Sequence, residues 1–220
     1  MAIRTIDLNI VTADPEPFGC KEAGLGGADT RQQIVEAADR LFYEGGFEAT
    51  AFADIAATIG ISRGNFYYHF KTKDEILDAV IAQRVERTRM LLAAWQRAGN
   101  TPLDHLRSFA GMLITNRAKI MLYGCPVGTL SAELAKLDHA ALDRAAGIFS
   151  LFREWLADRF AALGRASDAD TLAMHLLMRS QGIATLAAAF RDEAFIRREF
   201  AAINMWIDEQ LPSAVLSEEP

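Results

Sequence analysis

The chain has 220 residues, 51% of them hydrophobic, and a formal net charge of -6, with a sequence pI near 5.3. That acidity excludes a nucleic-acid binder that works through a basic surface all round, but it permits a small local basic patch. Two cysteines, Cys20 and Cys125, exclude a disulfide framework and suit a reduced, cytoplasmic setting.

Residues 1–28 read as a flexible arm. Asp14, Pro15, Glu16 and Pro17 make a turn or an extended segment, followed by Gly24, Gly26 and Gly27. Asp7 interrupts the early apolar run, so no signal peptide is expected. A first helix is predicted from Asp29 or Thr30, where Thr30 and Gln33 have capping-box spacing. Ile34, Ala38, Leu41 and Phe42 share one face, and Gly45-Gly46 ends the helix.

Residues 53–59 can form about two helical turns. Gly60 supplies a turn, and Ser62 caps a second short helix over 63–70. Small Ala56, then Gly60, then apolar Phe66 have the spacing of a helix-turn-helix: a close crossing, a tight turn and a plug into the core. A plain helical hairpin is the alternative. Chemistry favours the former. Between Asp54 and Asp74 there is no acidic residue, while Arg63, Lys71 and Lys73 are interleaved with Phe66, Tyr67, Tyr68, His69 and Phe70.

Thr72 with Glu75 opens a long helix through Ile76, Leu77, Val80 and Ile81 toward Trp95, ended by Gly99-Asn100. Thr101-Pro102 opens another toward Met121. Gly124, Cys125 and Pro126 break the chain. Helices are then expected over 128–137, 138–163, 168–190 and from 192 or 193 to about 211. The last residues, 213–220, form a tail. The helix over 168–190 is apolar round most of its circumference and so must be covered on two sides. A homodimer through it and the last helix is expected, with Leu172, Leu176, Ile183, Leu186, Phe190, Phe200, Ile203 and Trp206 at the interface. Residues 171–190 are no membrane span, because His175, Arg179, Ser180 and Gln181 interrupt them.

Candidates for a small-molecule pocket are Phe109, Met112, Leu113, Asn116, Cys125, Phe149, Phe152, Trp155, Met174, His175, Met178 and Arg179, most of which could equally be core. No metal-ligand spacing, nucleophile elbow, phosphate loop or carboxylate pair is present, so neither an enzyme nor a cofactor is expected.

Residues 30–81, and above all SRGNFYYHFKTKDEIL (62–77), resemble the DNA-binding domain of the TetR family of bacterial transcriptional regulators. YGCPVGTLSAEL, Tyr123 to Leu134, is similar to a Gly-Cys-x-x-Gly segment of one subgroup, in some members of which the cysteine senses electrophiles or oxidants. The resemblance implies an all-α fold of about nine helices. A three-helix helix-turn-helix domain over 29–88 would precede a ligand-binding and dimerisation domain over 89–212. It implies double-stranded DNA as partner, a near-palindromic operator read by a dimer, and release by a small-molecule effector. Ser62, Arg63, Gly64 and Asn65 would lie near bases and phosphates. Tyr67, Tyr68 and His69 would contact backbone or outer base edges, one tyrosine instead packing on the long helix. Lys73 would contact phosphate, and Thr50 would cap the second helix and meet a phosphate. Ala51, Phe52 and Ala53 depart from the family's pattern of hydroxyl or basic residues. That departure leaves one alternative, a ligand- or redox-sensing helical dimer without specific DNA binding. Cys125 itself has two readings, a small buried turn residue or a thiol sensor.

Overall fold

The computed structural model describes residues 27–211, and every regular element among them is helical. In chain order they are α1 (Gly27–Gly45), α2 (Phe52–Ile59), α3 (Arg63–His69), α4 (Lys73–Ala98), α5 (Pro102–Thr115), α6 (Arg117–Tyr123), α7 (Pro126–Lys136), α8 (Leu142–Phe160), α9 (Ala169–Phe190) and α10 (Glu193–Glu209). A π-helical turn, Ala161–Arg165, extends α8 until Gly164 takes φ 88° and stops it. The expected arm over 1–28 lies outside the described residues except for its last two, which begin α1; the tail over 213–220 and Cys20 lie outside them entirely.

Several helix ends follow the local chemistry. Thr101 accepts from the Asp104 amide, and the Asp104 carboxylate accepts from the Thr101 amide, closing a capping box in front of Pro102. Other ends differ from expectation. The single helix predicted from 101 toward 121 is two, because Asn116 leaves the helical region (φ -98°, ψ 11°) and turns its amide Nδ2 onto the Met112 carbonyl. The helix expected from 138 begins at Leu142, since Asp138 adopts a left-handed conformation at φ 49°.

Two hydrophobic cores form. The first gathers Ile34, Phe42, Phe47, Ile55, Phe66, Phe70, Ile76 and Leu77 from α1 to α4, and is closed by Leu130 and Leu134 of α7 and Ala141 and Ala145 at the start of α8. The second gathers Trp95, Phe109, Phe152, Leu156, Phe160, Leu176 and Ile203. The N-terminal core therefore draws on residues well beyond 88.

The face of α9 must also be corrected. Leu172, Leu176 and Ile183, with Ile203 of α10, were expected to meet a second subunit but are buried in the chain's own second core. Leu186 and Phe190 are exposed, while Phe200 and Trp206 are half-buried. The outer face of α9 presents Met174, Met178, Leu186 and Phe190, and α10 adds Met205. The inner face carries the small residues Ala173, Ser180, Ala184 and Ala187, which let neighbouring helices approach closely. With apolar groups on both faces, periodicity could not decide between them.

Candidate nucleic-acid interface and effector cavity

The helix-turn-helix is built from its turn outward. Gly60 sits at φ 69°, in the left-handed region. Its amide donates to Ala57 O and that of Ile61 to Ala56 O, the paired bonds that finish a helix and reverse the chain. Ser62 then caps α3, accepting from the Asn65 amide at 3.3 Å. Phe66 is buried against Phe52, with ring centroids 5.1 Å apart, and fixes the rotation of α3. That rotation leaves Ser62, Arg63, Gly64, Asn65, Tyr67 and Tyr68 exposed and His69 half-buried, on a helix without an acidic residue. The two tyrosines differ. Tyr67 packs edge-on against Phe52, on α2 rather than on the long helix, whereas Tyr68 is 77% exposed. Arg31 of α1, which sequence reasoning did not single out, lies 4.7 Å over the Phe70 ring and adds a cation beside the end of α3.

Two expected phosphate contacts have other duties here. Thr50 is buried, and its hydroxyl donates to Gly46 O at 2.7 Å. It does not cap α2; Ala51 holds the N-cap position, and the Asp54 carboxylate reaches back from the first turn to accept from the Ala51 amide at 2.8 Å. The ammonium of Lys73 donates to Glu48 O at 2.9 Å and Thr50 O at 3.1 Å, over the Phe47 ring. It ties down the loop between α1 and α2. The Glu75 carboxylate accepts from the Lys71 amide rather than closing the expected box with Thr72, although Thr72 itself accepts from the Glu75 amide. Lys73→Ala is expected to cost about 1 kcal/mol in urea unfolding and, by loosening that loop, to weaken binding of all duplexes alike in gel shifts. A changed sequence preference would contradict this role.

Behind the reader lies a cavity with about 710 Å³ of empty space, part of it open to solvent. Of the expected pocket residues, Phe109, Met112, Leu113, Asn116, Cys125, Phe149 and Phe152 line it. Trp155 does not; it is buried against Trp95 and His105. Met174, His175 and Met178 lie exposed on the outer face of α9, His175 stacked on Trp206 at 4.8 Å, with half-buried Arg179 over the same ring. These four point away from the cavity because the inner face of α9 is the one bearing Leu177, Ser180 and Ala184, which do line it. Sequence reasoning also missed Tyr43, Thr88, Lys119 and Gln181. A polar residue within an otherwise apolar helix was the available signal for Ser180 and Gln181; Tyr43 and Thr88 belong to helices assigned to the other end of the molecule.

The cavity wall and the reader are hydrogen-bonded together. The Tyr43 hydroxyl, on α1, donates to Gly124 O at 2.8 Å, and burial pushes it above its usual pKa. Arg84 of α4 is almost wholly buried; its Nε donates to the Asp39 carboxylate and its Nη1 to Pro126 O, both at 2.6 Å. Arg87 donates to the second Asp39 oxygen at 3.1 Å. From α7, the Glu133 carboxylate accepts from the amides of Phe47 and Glu48 at 2.9 and 2.8 Å. Gly46, at φ 93°, makes room for it, since a Cβ there would stand 3.1 Å from a Glu133 oxygen. Cys125 lies between the two anchored carbonyls, its Sγ accepting from the Gly128 amide at 3.5 Å at the start of α7.

Among the described residues no group of three His, Cys, Asp or Glu side chains could hold a metal, and no helix is long and apolar enough to cross a membrane. The family described as bacterial regulatory proteins, tetR family, matches residues 34–80. The one described as transcriptional regulator LmrA/YxaF-like, C-terminal domain, matches residues 102–201. An uncharacterized HTH-type transcriptional regulator in the lacX 3'region of Lactococcus lactis subsp. lactis is 31% identical over 137 residues, covering 61% of this chain and 70% of that protein. The HTH-type transcriptional regulator LmrA of Bacillus subtilis (strain 168) is 28% identical over 153 residues, 66% of this chain and 80% of that one. The crystal structure of SCO4454, a TetR-family transcriptional regulator from Streptomyces coelicolor, matches with a TM-score of 0.73 at 19% identity, covering 84% of this chain and 97% of that chain. At that identity the likeness bears on the fold alone.

Proposed function

The chain belongs to the TetR family of bacterial transcriptional regulators, and from that membership we propose that it is a cytoplasmic, ligand-responsive repressor. It binds a near-palindromic operator as a homodimer and leaves it when a small molecule fills the cavity. Two copies of α3 enter successive major grooves, about one helical turn or more apart. Arg63 and Asn65 reach base edges, and Ser62, Gly64, Tyr68 and His69 set the approach to the backbone. The exposed apolar side chains Met174, Met178, Leu186, Phe190 and Met205 supply the surface for the second subunit.

The observation that carries the reading is the double anchorage of the turn between α6 and α7. Tyr43 holds Gly124 O and Arg84 holds Pro126 O, so one wall of the cavity is fastened to α1 and α4, the helices that carry the reader. A ligand that displaces this turn moves both. It needs a coupling of only about 1–3 kcal/mol to change operator affinity several- to a hundredfold.

The test is a gel shift on the DNA upstream of the protein's own gene over a range of salt. Specific binding is expected to persist where competitor duplexes are released. If no duplex binds specifically at any salt, the regulator reading fails. A thermal-shift screen of small molecules, followed by release from the shifted duplex, tests the effector half separately.

A further inference from the structure

The chemistry of the cavity narrows what can occupy it. Four aromatic rings stand in its wall, those of Tyr43, Phe109, Phe149 and Phe152, among mostly aliphatic side chains. None of the described residues lining it is Asp or Glu. A cation entering would lose its hydration without meeting a counter-charge, which is costly in an apolar site.

Three of the polar lining groups spend a hydrogen on the protein itself. The Tyr43 hydroxyl spends its hydrogen on Gly124 O, the Ser180 hydroxyl donates to Leu177 O at 2.7 Å, and the Asn116 amide Nδ2 donates to Met112 O at 3.1 Å. A hydroxyl oxygen retains lone pairs after donating, and an amide retains its carbonyl oxygen. At Tyr43, Ser180 and Asn116 the cavity therefore offers acceptors, the Ser180 oxygen already taking one bond from Gln181 Nε2 at 3.4 Å, and a ligand group set against them must be a donor. A ligand acceptor placed against one of these three oxygens would leave both groups unpaired.

Building on the effector-cavity reading above, we propose that the ligand is an uncharged aromatic molecule whose polar groups are hydrogen-bond donors, hydroxyl or N–H, met by the oxygens of Tyr43, Asn116 and Ser180. The contact at Tyr43 also ties recognition to response. A ligand donor on its oxygen competes for the geometry that holds Gly124, the turn anchored to α1.

Calorimetric titration of the full chain with four naphthalenes of similar size tests this. The probes are 2-naphthol, its methyl ether 2-methoxynaphthalene, 2-naphthoate and 2-naphthylmethylammonium. The naphthol is expected to bind at least fivefold tighter than each of the others. In Tyr43→Phe and in Ser180→Ala, the ratio of naphthol to ether affinity is expected to fall. That ratio is insensitive to a general loss of folded protein. An ether that binds as tightly as the naphthol, or a ratio unchanged in both variants, overturns the donor requirement but leaves the cavity as an effector site. Naphthoate binding as tightly as the naphthol overturns it in favour of an anion, with Lys119 in the lining as the attracting charge. Equal binding of the ammonium overturns the exclusion of cations. Binding of none of the four removes both this inference and the cavity reading beneath it.

Discussion

Asp39→Ala is expected to lower the free energy of unfolding by about 3–5 kcal/mol, the usual consequence of stranding a buried charge. The Arg84 side chain is 1% exposed and that of Asp39 4%, so water cannot replace the lost carboxylate. Arg84 Nη1 would keep Pro126 O, but Nε would lose the 2.6 Å bond to Asp39, and Arg87 would lose its 3.1 Å partner. Asp39→Asn keeps the shape and one acceptor while removing the charge, and should fall between wild type and alanine. Urea unfolding of the three proteins gives the ranking. A loss below about 1 kcal/mol for the alanine variant would mean that the guanidinium finds another partner or solvent.

Arg63→Ala carries the largest expected effect on DNA. Arg63 is exposed in the first turn of α3, where a guanidinium can donate two bonds to a guanine edge. Its removal should cost about 1–3 kcal/mol on the operator, roughly five- to 150-fold in affinity. It should also relax the preference at one base pair of each half-site, which a loss of phosphate contacts would not do. Competition gel shifts against operators substituted one pair at a time measure both. Equal weakening on every duplex would reassign Arg63 to the backbone.

Local chemistry was the part of this molecule most legible in its sequence. The Ser62, Thr72 and Thr101 caps, the turn at Gly60 and the plug at Phe66 each depend on residues within a few positions of one another, and each is found where the residue types place it. What the sequence hid depends on distant partners. Lys73 is a surface cation by type, yet it closes a loop 23 and 25 residues earlier. Thr50 was expected to cap α2, but Ala51 holds the N-cap position and the Thr50 hydroxyl donates to Gly46 O. On α9, leucines occupy both faces, and only the small side chains mark the packed one. The cavity was partly visible as an aromatic and methionine population. Its most informative member, Tyr43, bonds a carbonyl 81 positions away, and no periodicity reports that.

The closure of the first core by α7 and α8 has a consequence for recombination. A chimera that joins residues 27–88 of this chain to the C-terminal part of a relative would inherit Ile34, Phe42 and Phe70 without the Leu130, Leu134, Ala141 and Ala145 that cover their cluster. It would also place a foreign side chain where Glu133 holds two loop amides. The portable unit is therefore discontinuous. Exchange of operator specificity between such proteins should travel with residues 126–145 as well, or be confined to the exposed side chains of α3.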